Sequence, residues 1–190
     1  MMIPFRLAGR LRTSRLARST AGSAVVEAAI ATPLMLMLTM GIVETARYLY
    51  ANMTMQSVAA GAAGELARDA EVDVVRVADF LLGAGQLAAP FEFDADGQVV
   101  LSVVQGRTDA PAEIVWQARD MRPGQATSRI GAVGGQAALP AGLTLSAGET
   151  VAVAEVFYAL QPLLGVTPSF NGIYKTAVLR PRVGELSIPQ

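Results

Sequence analysis

The stretch STAGSAVVEAAIATPLMLMLTMGIVETARYLY, residues Ser19 to Tyr50, decides the architecture of this 190-residue chain. Within it, the 21 residues from Ser23 to Val43 contain a single charged side chain, Glu27. In a helix that rises about 1.5 Å per residue, this run is about 31 Å long, which matches the roughly 30 Å hydrocarbon core of a bilayer. The sequence therefore predicts a transmembrane helix over residues 23–43.

The charges on either side of this apolar run indicate its orientation. Five of the fifteen basic residues precede Ser23 with no acidic residue among them, which leaves ten basic against sixteen acidic residues in the rest of the chain. Because basic segments stay on the cytoplasmic side, the sequence predicts a cytoplasmic leader over residues 1–22, one span, and an exported C-terminal part. The acidic balance of that part argues against nucleic acid as a partner. The leader arginines are Arg6, Arg10, Arg12, Arg15 and Arg18.

The residue types that the chain lacks exclude several kinds of active site. It contains no cysteine and no histidine, so disulfides, thiolate nucleophiles, a histidine general base and Cys/His zinc sites are ruled out. Lys175 is the only lysine, no serine precedes it at Ser-x-x-Lys spacing, and no Gly-x-Ser-x-Gly motif occurs. The sequence predicts that the protein is not an enzyme and that it binds no metal, no cofactor and no small-molecule substrate.

Glu27 needs an explanation, because a charge in the middle of a spanning helix costs roughly 2.5–3.5 kcal/mol on insertion scales. A cleaved signal peptide is disfavoured, since the apolar run exceeds the usual length of about 7–15 residues and no small-x-small site ends it. An uncleaved membrane anchor fits the length of the run, but it gives the carboxylate no role.

A third interpretation rests on the residues around Glu27. A basic leader, then Gly22, four small or apolar residues, Glu27 and a long apolar helix resemble the processing region of type IV prepilins. The resemblance implies that a prepilin peptidase cleaves between Gly22 and Ser23 on the cytoplasmic face. It also implies that Glu27 pairs with the new amino group of a neighbouring subunit, which makes a buried carboxylate tolerable and fixes the register between helices.

The wider segment, about residues 20–68, resembles the TadE-like family of pseudopilins or minor pilins in tight-adherence pilus systems. Ala28 departs from the pattern, because the family often has phenylalanine at that position and major Flp pilins have tyrosine. Pro33 is expected to kink the helix, since it removes one main-chain hydrogen bond. Glu44 and Arg47 are expected to form a pair at the membrane boundary, with an ordinary i,i+3 pair on the helix surface as the alternative. The residues that carry the resemblance are Gly22, Val26, Glu27, Pro33, Gly41, Ile42, Val43, Glu44 and Arg47.

The resemblance implies a function in assembly of a tight-adherence, Flp-type pilus, as a minor pilin or pseudopilin. It implies a single-pass protein of the bacterial inner membrane, with a cytoplasmic N-terminus and a periplasmic C-terminal domain, that reaches the cell surface within a pilus. The implied partners are the inner membrane, the prepilin peptidase, other pilins or pseudopilins, and the pilus assembly platform proteins. The alternative is an uncleaved membrane-anchored periplasmic scaffold protein of a secretion or assembly apparatus.

The remainder of the chain is expected to complete an α+β fold, a type IV pilin-like domain with a small antiparallel sheet packed on the helix. Residues 44–83 are expected to form a helical spine and a short second helix, Asp73–Gly83, with Asp73 as its N-cap. Residues 84–190 are expected to form an exported β-rich domain. Its predicted parts are a hairpin of Phe91–Phe93 and Val99–Val104, strands at 112–118, 150–160 and 176–182, a flexible loop at 122–149, and an apolar segment at 159–174 that is either core or a contact patch.

Overall fold

The computed structural model describes residues 20–120, 126–163, 172–182 and 184–188. The four strands form one antiparallel sheet in the order β2-β1-β3-β4. A long N-terminal helix followed by this sheet confirms the predicted α+β class. The elements are α1 (Thr20–Leu66), α2 (Val74–Leu87), α3 (Phe93–Asp96), β1 (Gly97–Arg107), β2 (Ala110–Arg119), β3 (Thr150–Tyr158) and β4 (Ile173–Leu179).

The chain divides into two units, Met1–Val43 and Glu44–Gln190. In the first unit, the residues from Gly22 to Val43 are helical and exposed, apart from a half-buried Ala31. Gly22–Leu66 is the one helix of the described residues that is long and apolar enough to cross a membrane. The five leader arginines lie outside the described residues.

In the second unit, one face of α1 forms the centre of the core. Alanines on this face, such as Ala59 and Ala62, are fully buried. Apolar residues that recur at steps of three and four in the sequence mark this buried face. The buried residues of this face are Ala51, Met55, Val58, Ala59, Ala62, Ala63 and Leu66.

Helix α2 begins where the sequence predicts and ends later. Asp73 is its N-cap, and the carboxylate accepts hydrogen bonds from the main-chain N–H groups of Val75 and Arg76, each at 3.1 Å. The predicted stop at Gly83 is wrong, because the helix continues to Leu87. Ala84 is fully buried one residue further on, so packing against the core offsets the cost of about 1 kcal/mol for glycine in a helix.

The predicted hairpin of Phe91–Phe93 with Val99–Val104 is wrong. Phe93 instead begins the short helix α3, and its ring packs under Gly97, where an added Cβ would lie 2.3 Å from the ring. The hairpin joins β1 to β2, with Asp109 at a positive φ of 56° in the turn. The Phe-Glu-Phe alternation is a true burial signal, because both phenylalanines are buried, although not in a strand.

The last strand differs from its prediction only in its bounds. The sequence predicts this strand at 176–182, whereas β4 runs from Ile173 to Leu179. Pro181 lies beyond the strand end, in keeping with the missing N–H group that bars proline from a central ladder.

Residues 126–149 cover the outer face and one edge of the sheet. Ile130 and Ala137 pack with Val104, Ile114 and Val153 in a second apolar cluster. The N–H groups of Gly134 and Ala137 also donate to carbonyls of β2, at 2.8 Å each. This pairing covers main-chain groups along the outer edge of β2, which an edge strand otherwise exposes.

Candidate functional site

The predicted cleavage residues lie in the first turns of α1. Gly22 and Ser23 are both exposed and helical. The Ser23 hydroxyl donates to Glu27 Oε1 over 2.9 Å, one helical turn away. The structure therefore shows a hydrogen bond between Ser23 and Glu27, for which the sequence predicts separate roles, in cleavage and in helix register.

This one hydroxyl satisfies Glu27 incompletely. A carboxylate offers about four lone-pair sites, and Ser23 is the one hydrogen-bond partner of Glu27 among the described residues. In water the remaining sites are hydrated, whereas in hydrocarbon they need a protein partner. Among the described residues, most of the hydrogen-bonding capacity of the Glu27 carboxylate is therefore unused.

Pro33 lies inside α1, and the helix continues through it. Beside it, the Thr32 hydroxyl donates to the Ala28 carbonyl at 2.7 Å, and Thr39 makes the same bond to Met35 at 2.8 Å. Both threonines thereby satisfy their hydroxyl groups within the helix, as polar residues in a membrane span need to do.

Glu44 and Arg47 both bind the segment Gln161–Leu163. Glu44 is 3% exposed, and its Oε2 accepts from the Leu163 N–H over 3.2 Å. Its Oε1 is buried and has no hydrogen-bond partner among the described residues. Arg47 Nη1 donates to the Gln161 carbonyl. Within the described residues no ion pair joins Glu44 to Arg47, so the two side chains act on a third segment instead of on each other.

Glu155 is a buried carboxylate that sequence reasoning did not single out. It lies on β3 with 0% exposure, and its Oε1 accepts from the Arg129 N–H and the Tyr174 hydroxyl, each at 2.8 Å. Its Oε2 accepts from the Ser128 hydroxyl. The sequence does contain a signal for it, because Glu155 alternates with Val151 and Val153 along the predicted strand TVAVAEVFYAL and so shares their face.

Arg129 and Tyr174 form the rim of this cluster. The guanidinium carbon of Arg129 lies 4.2 Å from the Tyr174 ring centroid and 5.9 Å from that of Phe157. Burial, and then the hydrogen bond to Glu155, raise the pKa of Tyr174 from 10.0 to about 12. Among the described residues no group of three or more Asp, Glu, Cys or His side chains is placed to hold a metal ion.

The raised pKa of Tyr174 predicts that the protein loses stability in strong alkali. Because its folded-state pKa is raised, the neutral ring stabilises the fold fully below about pH 10, and this contribution is lost as the pH rises towards about 12. In Tyr174→Phe we expect the free energy of unfolding, from urea titrations of the full chain in detergent, to fall less steeply over that range. Tyr50→Phe, at an exposed tyrosine, is the control. Parallel curves for wild type and Tyr174→Phe would contradict the prediction.

The fold defines a class: a protein with one N-terminal helix of membrane-crossing length and a small antiparallel sheet. The family model described as TadE-like protein matches residues 22–64, which confirms the resemblance over that range. The matched range holds Gly22, Glu27, Pro33, Glu44 and Arg47. The TadE-like family is one of proteins associated with tight-adherence pili that carry an N-terminal membrane helix. No curated protein and no solved structure matches the chain.

Proposed function

We propose that this protein is a minor pilin or pseudopilin that takes part in assembly of a tight-adherence, Flp-type pilus. A prepilin peptidase cleaves it between Gly22 and Ser23. The observation that carries this proposal is the coincidence of three features at one place. The match to the TadE-like family begins at Gly22, Glu27 follows five residues later, and the apolar helix is exposed from Gly22 to Val43.

The position of the cleavage site in the helix supports this proposal. A peptidase requires an extended substrate backbone, and Gly22 and Ser23 lie within the first four residues of α1. The first N–H groups of a helix have no intrahelical acceptor, and helix ends fray readily. Unwinding this turn therefore costs little, and glycine lowers the cost further.

The remaining parts follow from this assignment. Residues 1–22 are the cytoplasmic leader, residues 23–43 cross the inner membrane, and Pro33 kinks that helix. Residues 44–87 form the helical spine and second helix, and residues 88–190 form the β-rich part of the periplasmic domain, which reaches the cell surface within the pilus. The partners are the prepilin peptidase, other pilins or pseudopilins and the assembly platform proteins, and the protein has no catalytic activity of its own.

The mature N-terminus tests the proposal. The full chain is expressed with an active prepilin peptidase, and intact mass with N-terminal peptide mapping locates its first residue. We expect Ser23, and we expect the leader to be retained in Gly22→Ala. Gly41→Ala is the matched control, because this glycine lies in the same exposed helix and an added Cβ there meets nothing within 4 Å.

Two other outcomes contradict the proposal. A chain that keeps its leader beside an active peptidase is the uncleaved periplasmic scaffold protein. A chain that starts beyond Gly41 is an ordinary secreted protein, in which Glu27 has no role.

A further inference from the structure

The segment Gln161–Leu163, here called the boundary segment, is irregular and tied to the first turn of the second unit. Glu44 accepts from its Leu163 N–H, and Arg47 donates to its Gln161 carbonyl. The Leu163 side chain is nevertheless 57% exposed. The structure thus holds the backbone of this segment firmly and leaves a large apolar side chain in the open.

The boundary segment binds the residue that directly follows the apolar run in the sequence. Glu44 directly follows Val43, and consecutive Cα atoms are about 3.8 Å apart. The Leu163 nitrogen lies 3.2 Å from the Glu44 carboxylate. The polar interface of a bilayer adds about 5–7 Å on each side of the hydrocarbon core, so a span that ends at Val43 puts Leu163 at interface level.

We propose that the boundary segment is a lipid-contacting surface, with Leu163 inserted into the phospholipid interface of the membrane that residues 23–43 cross. This inference rests on the proposed membrane anchoring. The bonds from Glu44 and Arg47 then have a physical reason, because an irregular backbone next to hydrocarbon must have its polar groups satisfied by protein. The Glu44 carboxylate supplies an acceptor for the Leu163 N–H, and the Arg47 guanidinium supplies a donor for the Gln161 carbonyl.

The surface next to Arg47 has the chemistry that a phospholipid requires. A hollow of about 380 Å³ is lined by Ala46, Arg47, Tyr50, Pro90 and Phe91, so that one basic group stands among apolar and aromatic walls. Arginine offers five N–H donors and binds phosphate well. Tyrosine, with an apolar ring and a polar hydroxyl, is enriched at membrane interfaces, and Tyr50 is half exposed here.

Single nitroxide labels test the contact directly, because the chain contains no cysteine. The full chain is reconstituted in phosphatidylcholine–phosphatidylglycerol nanodiscs with a label at Leu163→Cys, Val133→Cys or Leu34→Cys. Leu163 and Val133 are both 57% exposed, so Val133 is the matched control, and Leu34 reports the membrane span. The measurement is the ratio of collisions with oxygen, which partitions into lipid, to collisions with a water-soluble nickel chelate.

We expect this ratio to be several-fold higher at Leu163 than at Val133, and highest at Leu34. Adding Glu44→Ala to Leu163→Cys is expected to lower the ratio to the level of Val133, because the boundary segment is released. Adding Glu44→Gln is expected to preserve it, since the amide oxygen still accepts from the Leu163 N–H.

Three results overturn the inference, and they are distinguishable. Equal ratios at Leu163 and Val133, with Leu34 in lipid, refute the contact and leave membrane anchoring intact. A label at Leu163 that neither reagent reaches shows that protein, not lipid, covers this surface. A label at Leu34 that reports water refutes the anchoring itself, and the contact falls with it.

Discussion

Replacing Glu155 with alanine is expected to lower the free energy of unfolding by about 3–5 kcal/mol. The substitution removes the common acceptor of three donors, from Ser128, Arg129 and Tyr174. The three bonds are partly buried and converge on a fully buried carboxylate, and a buried donor left without a partner costs about 1–3 kcal/mol. The measurement is urea unfolding of the full chain in detergent, followed by the fluorescence of Trp116, the only tryptophan.

Glu155→Gln separates the role of shape from that of charge. Its amide oxygen still accepts from the Arg129 N–H and the Tyr174 hydroxyl, and the Ser128 hydroxyl reverses to accept from the new NH₂ group. We therefore expect a loss much smaller than in Glu155→Ala. Glu92→Ala, at an exposed glutamate, controls for the loss of one carboxylate. If Glu155→Ala unfolded at the wild-type urea concentration, the buried cluster would have no part in holding the fold.

The same variant is expected to release the segment that begins at residue 126. Three side chains on the outer face of the sheet hold this segment. Gln98 accepts from the Ala126 N–H at 2.8 Å, Gln117 donates to the Gly131 carbonyl at 3.3 Å, and Glu155 binds the residues between them. Faster amide hydrogen exchange over residues 128–137 in Glu155→Ala than in Glu155→Gln is the expected sign of this release.

Much of the fold was predictable because its signals are local. The long apolar run, the three- and four-residue spacing after it, and the Asp73 cap each depend on residues within one or two turns. Valine-rich runs between turn residues indicate β1 and β3, and the apolar run Ile114–Trp116 indicates β2. These features survive in the structure because tertiary packing agrees with local preference.

The errors arose where packing overrides local preference. The alternation at Phe91 and Phe93 predicts a strand. In the structure both rings are buried against Tyr158, with centroid distances of 5.9 and 6.1 Å, and this packing determines the backbone conformation. Gly83 read as a helix stop, although the core needs the turn beyond it. A local sequence pattern does not contain the tertiary contacts that determine these two conformations.

The residues of the candidate site also divide into those that a local sequence pattern predicts and those that only tertiary contacts bring together. Gly22, Ser23 and Glu27 are adjacent in sequence, so a linear motif predicts all three. The partners of Glu44 and Arg47 lie 119 and 114 residues further along, and only the folded chain brings them together. The cluster around Glu155 was not predicted, because two of its donors come from a segment with no regular spacing and the third, Tyr174, comes from the distant strand β4.

Glu27→Gln is expected to prevent incorporation into pili while the protein remains in the membrane. The substitution removes the charge and keeps a group that can bond to Ser23, so the local helix is preserved. Pairing with a cationic amino group of a neighbouring subunit requires the carboxylate, because a neutral amide gives up the charge-assisted bond. The measurement is the amount of this protein in sheared pili relative to the membrane fraction, with Met37→Leu, at an exposed apolar position of the same helix, as control.

Glu27→Leu sharpens this prediction, because stability and function should move in opposite directions. Leucine removes a charge whose insertion is unfavourable, by roughly 2.5–3.5 kcal/mol at a helix centre and by less towards a helix end, so the helix should enter the membrane more readily than wild type. Incorporation should still fail, since no carboxylate remains to fix the register. Normal pili containing either variant would show that Glu27 has no assembly role, and loss of leader cleavage in both would place its role at the peptidase. A variant that is held better by the membrane and yet is missing from the pilus would mean that the carboxylate is retained for its partner and not for the span.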